Sequence, residues 1–302
     1  MRYFLLFIVW FSSIASFAQS EDKLTDSLAR LSARIYQPGS DEAKMEASSK
    51  FRDALLVYCQ SNKAFKTSLS KIKSLGILQS PAAEISILNW NIPIAGGKHF
   101  YQGILFQQIN DALKHWYLND SSEIIAQPST VALGPQNWYG ALYYSIIPSS
   151  EKKITFYTLL GWDGNNLQVA RKIIDILWFD ESGNPVFGKQ VFGGKRDYRI
   201  IYEYAQGASF ALRYDEQAYY RKRWWSRKPV QYSRMMILHN RLVSSTNSGK
   251  SLPQFVFPAG NILDAWIQEN GKWKFIRDVD ARNPESLQDK NPAKPPQQGL
   301  KP

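Results

Sequence analysis

Three histidines and one cysteine are the side chains of this 302-residue chain that ordinarily titrate nearest neutrality. His99 and His115 are well separated and His239 is remote from both. The chain holds no His-Glu-x-x-His pair, no Cys-x-x-Cys, no phosphate-cradling glycine loop and no Gly-x-Ser-x-Gly elbow. Each histidine therefore reads as a surface or satisfied core residue, and no catalytic residue, metal or cofactor is expected. Cys59 falls on the apolar side of a helical pattern, where a buried inert thiol outweighs a reactive one. Trp162-Asp163-Gly164-Asn165-Asn166 offers oxygen atoms that a calcium ion could use, but lacks the later ligands of an EF-hand loop. Asp180, Ser182 and Asn184 form a similar set. Both read as chain reversals, which need Asp, Asn and Gly for their own reasons. A glycosidase pair could be drawn from Asp175, Glu203, Asp215 and Glu216, but their spacing selects no two of them.

Charge is the feature that stands out. The formal net charge is +11, and no acidic residue occurs from Gln217 to Leu263. That stretch holds Arg221, Lys222, Arg223, Arg227, Lys228, Arg234, Arg241 and Lys250. Its centre interleaves Tyr219 and Tyr220, then Arg221, Lys222 and Arg223, then Trp224 and Trp225, then Arg227 and Lys228. Guanidinium forks suit phosphate and carboxylate, and indole rings tolerate a half-wet interface. The segment is thus the candidate binding site, competing with the plainer reading of a solvated loop. No RNA- or DNA-binding motif accompanies it, which argues against nucleic acid.

The elements that must position these residues follow from periodicity. Residues 1–18 read as a cleavable secretory signal: Arg2, then Tyr3 to Phe11 without a polar group, then Ser16-Phe17-Ala18. That apolar run is far short of the ~20 residues that span a bilayer, and no transmembrane segment is expected in the mature chain. An exported protein, periplasmic or extracellular, is implied. A lone cysteine leaves its fold to be held by the core without an intramolecular disulfide.

Residues 19–80 read as helical. Leu24, Leu28, Leu31 and Ile35 make one stripe, and Gln37-Pro38-Gly39 ends it. Ser40 then caps a second helix with Ala47, Phe51, Ala54, Leu55, Tyr58 and Cys59 on one side, and a third is expected over Thr67–Leu75. From residue 81 to 282 the period is two. Strands are expected at 85–90, 100–106, 154–160, 173–179, 186–187, 200–204, 209–214, 265–269 and 273–276. Segment 209–214 is read as pairing with 200–204 across Gln206-Gly207, and Asn270-Gly271 marks the clearest tight hairpin. Ile124–Ser150, uncharged but broken by Pro128, Gly134, Pro135 and Pro148, reads as buried strand and turn. Residues 283–302 are polar and Pro-rich and read as a disordered tail. The fold class is α+β, mainly β. An N-terminal amphipathic helical hairpin precedes a large antiparallel meander, closed as a barrel, a sandwich or a partial propeller.

Tyr157-Thr-Leu-Leu-Gly-Trp-Asp-Gly-Asn-Asn166, Ile174-Asp-Ile-Leu-Trp-Phe179 and Gly183-Asn-Pro-Val-Phe-Gly188 together resemble a group of exported Bacteroidetes proteins without an established activity. The similarity extends through Asn89–Pro93 and Ile201–Tyr204. An acidic Phe-Asp-His-Leu pattern of that group is matched here by Ile237-Leu-His-Asn-Arg-Leu242, without the acid. The resemblance implies the fold and the compartment, and no chemistry.

The leading expectation is an exported non-enzymatic binding or structural module of the cell envelope. It would contact an anionic lipid, a glycan or an acidic protein surface through Arg221–Lys228. The alternative is a hydrolase acting on a glycan or a phosphorylated envelope component, which requires a concave site where at least two titratable groups converge.

Overall fold

A computed structural model of the protein describes residues 23–61, 65–110, 112–151, 154–221, 230–245 and 252–279. The expected signal (1–18), the tail (283–302) and Lys222–Lys228 of the basic segment lie outside the described residues.

Helix α1 covers residues 23–35 and α2 covers Asp41–Ser61. Ser40 Oγ accepts the backbone N–H of Ala43, and Asp41 and Glu42 follow in the first turn, where the helix dipole favours negative charge. The buried side of α1 is Thr25, Leu28, Ser32 and Ile35, while Leu24 is 53% exposed. The stripe expected from leucine spacing is therefore rotated: Ser32 turns inward because its hydroxyl meets Ser74 Oγ at 2.5 Å. The third helix, α3, is only Phe65–Leu69, and turns carry the chain on to Leu75. Gly76–Gln79 is then a strand, β1, inside the stretch expected to be helical; Gly76 lies against Asn89, where a Cβ would come within 3.2 Å of its backbone and side-chain oxygens.

Three antiparallel sheets follow in chain order. The first is β1, β2 (Ile85–Pro93), β3 (His99–Ile109) and β4 (Ala112–Asn119). The second is β5 (Leu142–Glu151), β6 (Ile154–Asp163), β7 (Val169–Phe179) and β8 (Pro185–Phe187), with β9 (Ile200–Ala205) also on β7. The third is β10 (Leu212–Arg221), β11 (Val230–Ser244), β12 (Val256–Glu269) and β13 (Lys272–Val279). The chain is mainly β and antiparallel, as its alternation predicts, and among the described residues the sheets do not close into a barrel.

Strand alternation stacks them. Leu88, Trp90, Ile92, Ile104 and Phe106 pack on the helices, while Ile87, Tyr101 and Leu105 face the second sheet. That sheet gives Tyr157, Leu159 and Ile173 to the first and Phe156, Leu160 and Ile174 to the third. The third answers with Ile237, Trp266 and Trp273. Described indoles fill these layers with their N–H groups satisfied: Trp90 by Ser48, Trp138 by Tyr143, Trp266 by Tyr202 and Trp273 by Thr158.

The expected pairing of 200–204 with 209–214 is not formed. Strand β9 runs beside β7, with Ile174 opposite Ile200 and Arg171 opposite Glu203, whereas β10 starts the third sheet beside β11. The chain just ahead of β9 is tied instead to the second sheet. Arg199, fully buried and one residue ahead of β9, donates to Asp175 Oδ1 (3.1 Å), to the carbonyls of Val131 and Phe187 (3.0 Å each) and to that of Pro128. Asp175 also accepts Tyr143 OH at 2.9 Å. The hairpin at Asn270-Gly271 is as expected, Glu269 pairing with Lys272 and both turn residues at positive φ (50° and 77°).

Removing one partner of a buried, hydrogen-bonded ion pair strands the other charge and typically costs ~3–5 kcal/mol. Arg199→Met should therefore lower the urea-unfolding free energy by about that amount. Lys50→Met, which breaks the exposed pair with Glu46, should leave it nearly unchanged.

Candidate functional site

The β3 alternation puts His99 and Tyr101 on one side of the first sheet, facing the β6–β7 turn of the second. Tyr101 joins two buried carboxylates. Its N–H donates to Asp120 Oδ2 (3.1 Å) and its hydroxyl to Asp163 Oδ1 (3.2 Å), while the hydroxyl accepts the Gly164 N–H at 2.8 Å. Asp163, at the end of β6, lies opposite Arg171 on β7, and Arg171 lies opposite Glu203 on β9. Three adjacent strands thus carry an acid–base–acid row, with Arg171 Nη1 at 3.4 Å from Asp163 and Nε at 2.9 Å from Glu203.

The turn is held by side-chain caps. Asp163 Oδ1 accepts the Asn165 N–H (2.7 Å), and Asn166 Oδ1 accepts those of Gln168 and Val169 (2.9 and 3.0 Å). The Asp-Gly-Asn-Asn run is therefore a structured turn, as is Asp180–Asn184, where Asp180 caps Ser182 and Asn184. Among the described residues, no three His, Cys, Asp or Glu gather closely enough to hold a metal ion.

Together these residues wall a polar cleft of about 400 Å³: Lys98, His99, Ser122, Glu123, Asp163, Asn165, Asn166 and Arg171. His99 is half-buried, edge-on to Trp162 at 5.6 Å, with Nδ1 at 3.1 Å from the Asn91 amide. Burial pulls its pKa below the ordinary value, outweighing the opposite pull of Asp163, which favours the neutral imidazole. Burial pushes Asp163 up despite Arg171, and pushes Asp120 up to about 6. Two glycines make room for these groups. A Cβ on Gly164 would lie 2.6 Å from His99 Nε2, and one on Gly140, at φ +44°, would lie 2.1–2.3 Å from the Asp120 carboxylate.

The sequence offered the pieces of this cleft separately. Asp163 stood as a turn residue, His99 as a lone histidine and Glu203 as one acid among several. Recognising the β6–β7 hairpin would have paired Asp163 with Arg171; Glu203 joins them only through the long-range docking of β9. The glycosidase-type candidates are not paired with one another: Asp175 is buried with Arg199, Glu203 binds Arg171, and Asp215 pairs with Arg213 at 3.5 Å. Glu216 accepts Ser233 Oγ. His239 is a satisfied core residue. Its Nδ1 donates to the Asn240 carbonyl (2.9 Å), which leaves Nε2 to accept from Tyr202 OH (2.9 Å). Cys59 is 1% exposed and its thiol is pushed up to about 12, which keeps it protonated and inert.

Of the basic candidates, Arg221 ends β10, while Lys222, Arg223, Trp224, Trp225, Arg227 and Lys228 lie outside the described residues. The other cations of that stretch that are described are already engaged. Arg234 donates to the Gln268 carbonyl and faces Glu269 at 3.8 Å, and Arg241 grips Asp264 at 2.6 and 3.1 Å. They add nothing to a free positive patch. Register sets where the segment begins: β10 and β11 stay paired out to Arg221 opposite Val230, whereas β12 leaves β11 at Met236 opposite Ile267. At ~3.3 Å per residue, the two-stranded arm runs on the order of 13 Å past the Asn270-Gly271 turn. Beside that turn lies an uncharged groove where Ser149 Oγ and Gln268 Nε2 are buried without a partner.

The fold and cleft define an antiparallel, layered β protein with an internally charge-matched polar site. Compared with known protein families, curated proteins and solved structures, the chain matches none of them. Among the described residues, no helix is long and apolar enough to cross a membrane.

The Asp120 carboxyl has a pH signature. Its folded pKa lies above the unfolded value of 3.8, so the folded form binds the proton more tightly. The stability this contributes is complete below about pH 4 and is lost as the pH rises through about 6. Urea unfolding from about pH 4 to 7 should show that loss, and Asp120→Asn should flatten it.

Proposed function

We propose that this protein is an exported, non-enzymatic binding module of the cell envelope that docks on an anionic component through the basic aromatic segment Arg221–Lys228. The observation that carries the reading is the register of β10 and β11, a two-stranded arm that outruns the rest of its sheet and leads directly into that segment. Charge supports it as well. Behind the arm, Arg213, Arg234, Arg241, Lys272 and Lys274 each have an acidic neighbour within 4 Å, so the sheet itself offers little net attraction. The segment between Arg221 and Val230 contains no acid to offset its cations.

A second reading, a hydrolase acting on a glycan or a phosphorylated envelope component, draws on the cleft. A neutral imidazole and a buried carboxylate converge on one polar concavity there, the minimum that acid–base chemistry requires.

A cation close to an anionic surface is worth about 1 kcal/mol before screening. Replacing Arg221, Lys222, Arg223, Arg227 and Lys228 with Gln should cut binding to vesicles containing anionic phospholipid by on the order of a thousandfold at low salt. The same variant should be released from envelope fractions. Unchanged partitioning of a folded variant, checked by circular dichroism, eliminates the docking role.

A further inference from the structure

We infer that the cleft between the start of β3 and the β6–β7 turn binds an uncharged, multiply hydroxylated ligand, a sugar. The inference shares one premise with the hydrolase reading, that this cleft is a ligand site, and names what enters it.

Charge bookkeeping sets the class. Lys98 is matched by Glu123 at 2.6 Å, and Arg171 is shared between Asp163 at 3.4 Å and Glu203 at 2.9 Å. Burial of His99 favours its neutral form, so it is no fixed cation. Phosphate or carboxylate would have to compete with acids already seated on both cations, and bringing an anion beside Asp163 and Glu123 adds repulsion. The cleft therefore offers no surplus cation to an acidic ligand.

What it does offer is directional hydrogen bonding of both senses. The Asn166 carbonyl oxygen is spent on two backbone N–H groups, so its amide donors are not used by the turn. Asp163 Oδ2 has only the long contact to Arg171, leaving capacity to accept. Ser122, Asn165 and His99 complete a wall that carries both donors and acceptors. A hydroxyl both donates and accepts, and a vicinal diol can span a carboxylate and an amide together. The wall is also rigid before any ligand arrives. Backbone caps fix the turn, Tyr101 fixes Asp163, and the bare Gly164 lets the backbone close on the imidazole. Pre-set polar groups bind without a further ordering cost.

Titration calorimetry tests this on the full chain. The neutral probes are glucose, galactose, mannose, N-acetylglucosamine and their β-linked trisaccharides; inorganic phosphate and glucuronate are the charged ones. At least one neutral saccharide should bind at about 10 mM or below. Asn166→Asp keeps the capping oxygen but removes the amide donors, and should weaken that binding about tenfold, as should His99→Ala. Phosphate should not compete. The inference is overturned if no neutral probe binds, if both folded variants bind like the parent, or if phosphate or glucuronate displaces the sugar. Incubating the parent with the bound trisaccharide separates the two ideas: binding without cleavage ends the hydrolase reading and leaves this one standing.

Discussion

Arg199 is a full positive charge with no exposed surface, and much of the architecture answers the need to satisfy it. A buried guanidinium is tolerable only if its donors are met and its charge is opposed. Asp175 supplies the charge, and carbonyls from Pro128, Val131 and Phe187 take three more of its five donors. Those carbonyls belong to the irregular stretch before β5 and to β8, so one side chain draws together the loop, the second sheet and the start of β9. Because Arg199 directly precedes β9, pinning it fixes Ile200 opposite Ile174, and the same register brings Glu203 opposite Arg171. The row Asp163–Arg171–Glu203 is thus a downstream consequence of a buried ion pair that the cleft itself never touches.

This dependence explains which parts were legible in the sequence. Local signals read well. Ser40 as a cap, Asn270-Gly271 as a tight turn, Asp180–Asn184 as a reversal and the period-two runs of β2, β3, β6 and β7 all depend on neighbours a few residues away. The placement of β9 did not read, because Gln206-Gly207 is a sound turn signal that leads into the adjacent strand without pairing to it. No local rule says that a buried arginine upstream decides the matter. The short strand β1 was hidden in the same way, its four residues becoming a strand only through pairing with β2. Leu24 lies off the buried side, which spacing misses because it treats serine as polar, whereas Ser32 is satisfied by Ser74.

The cleft residues were each visible and none was selected, since their meaning is cooperative. Asp163 read as a turn residue, which it is: its Oδ1 caps Asn165. The same carboxylate also faces the cleft, and only the register of β7 shows that Arg171 stands beside it. Glycine was the overlooked signal. Gly140 and Gly164 look like ordinary loop glycines, yet each leaves empty the space that the Asp120 carboxylate or the His99 ring fills. Absence of a Cβ beside a titratable group is a three-dimensional fact, and it becomes interpretable only after the partner is in place.

The two surfaces proposed for recognition obey different physics. Around the cleft, cations and anions are matched within the protein, so what is left to a ligand is hydrogen-bond direction, which is short-ranged and indifferent to salt. Along the arm the order is reversed. Most cations of the sheet behind it have an acidic neighbour, while the sequence concentrates cations without an acid between Arg221 and Val230. Attraction of that kind acts over a Debye length of ~8 Å and asks little of ligand shape. In the proposed reading, a long-range contact on the arm would act as a tether without dictating what the preset cleft accepts. Each can then be weakened by substitution while the other is left intact.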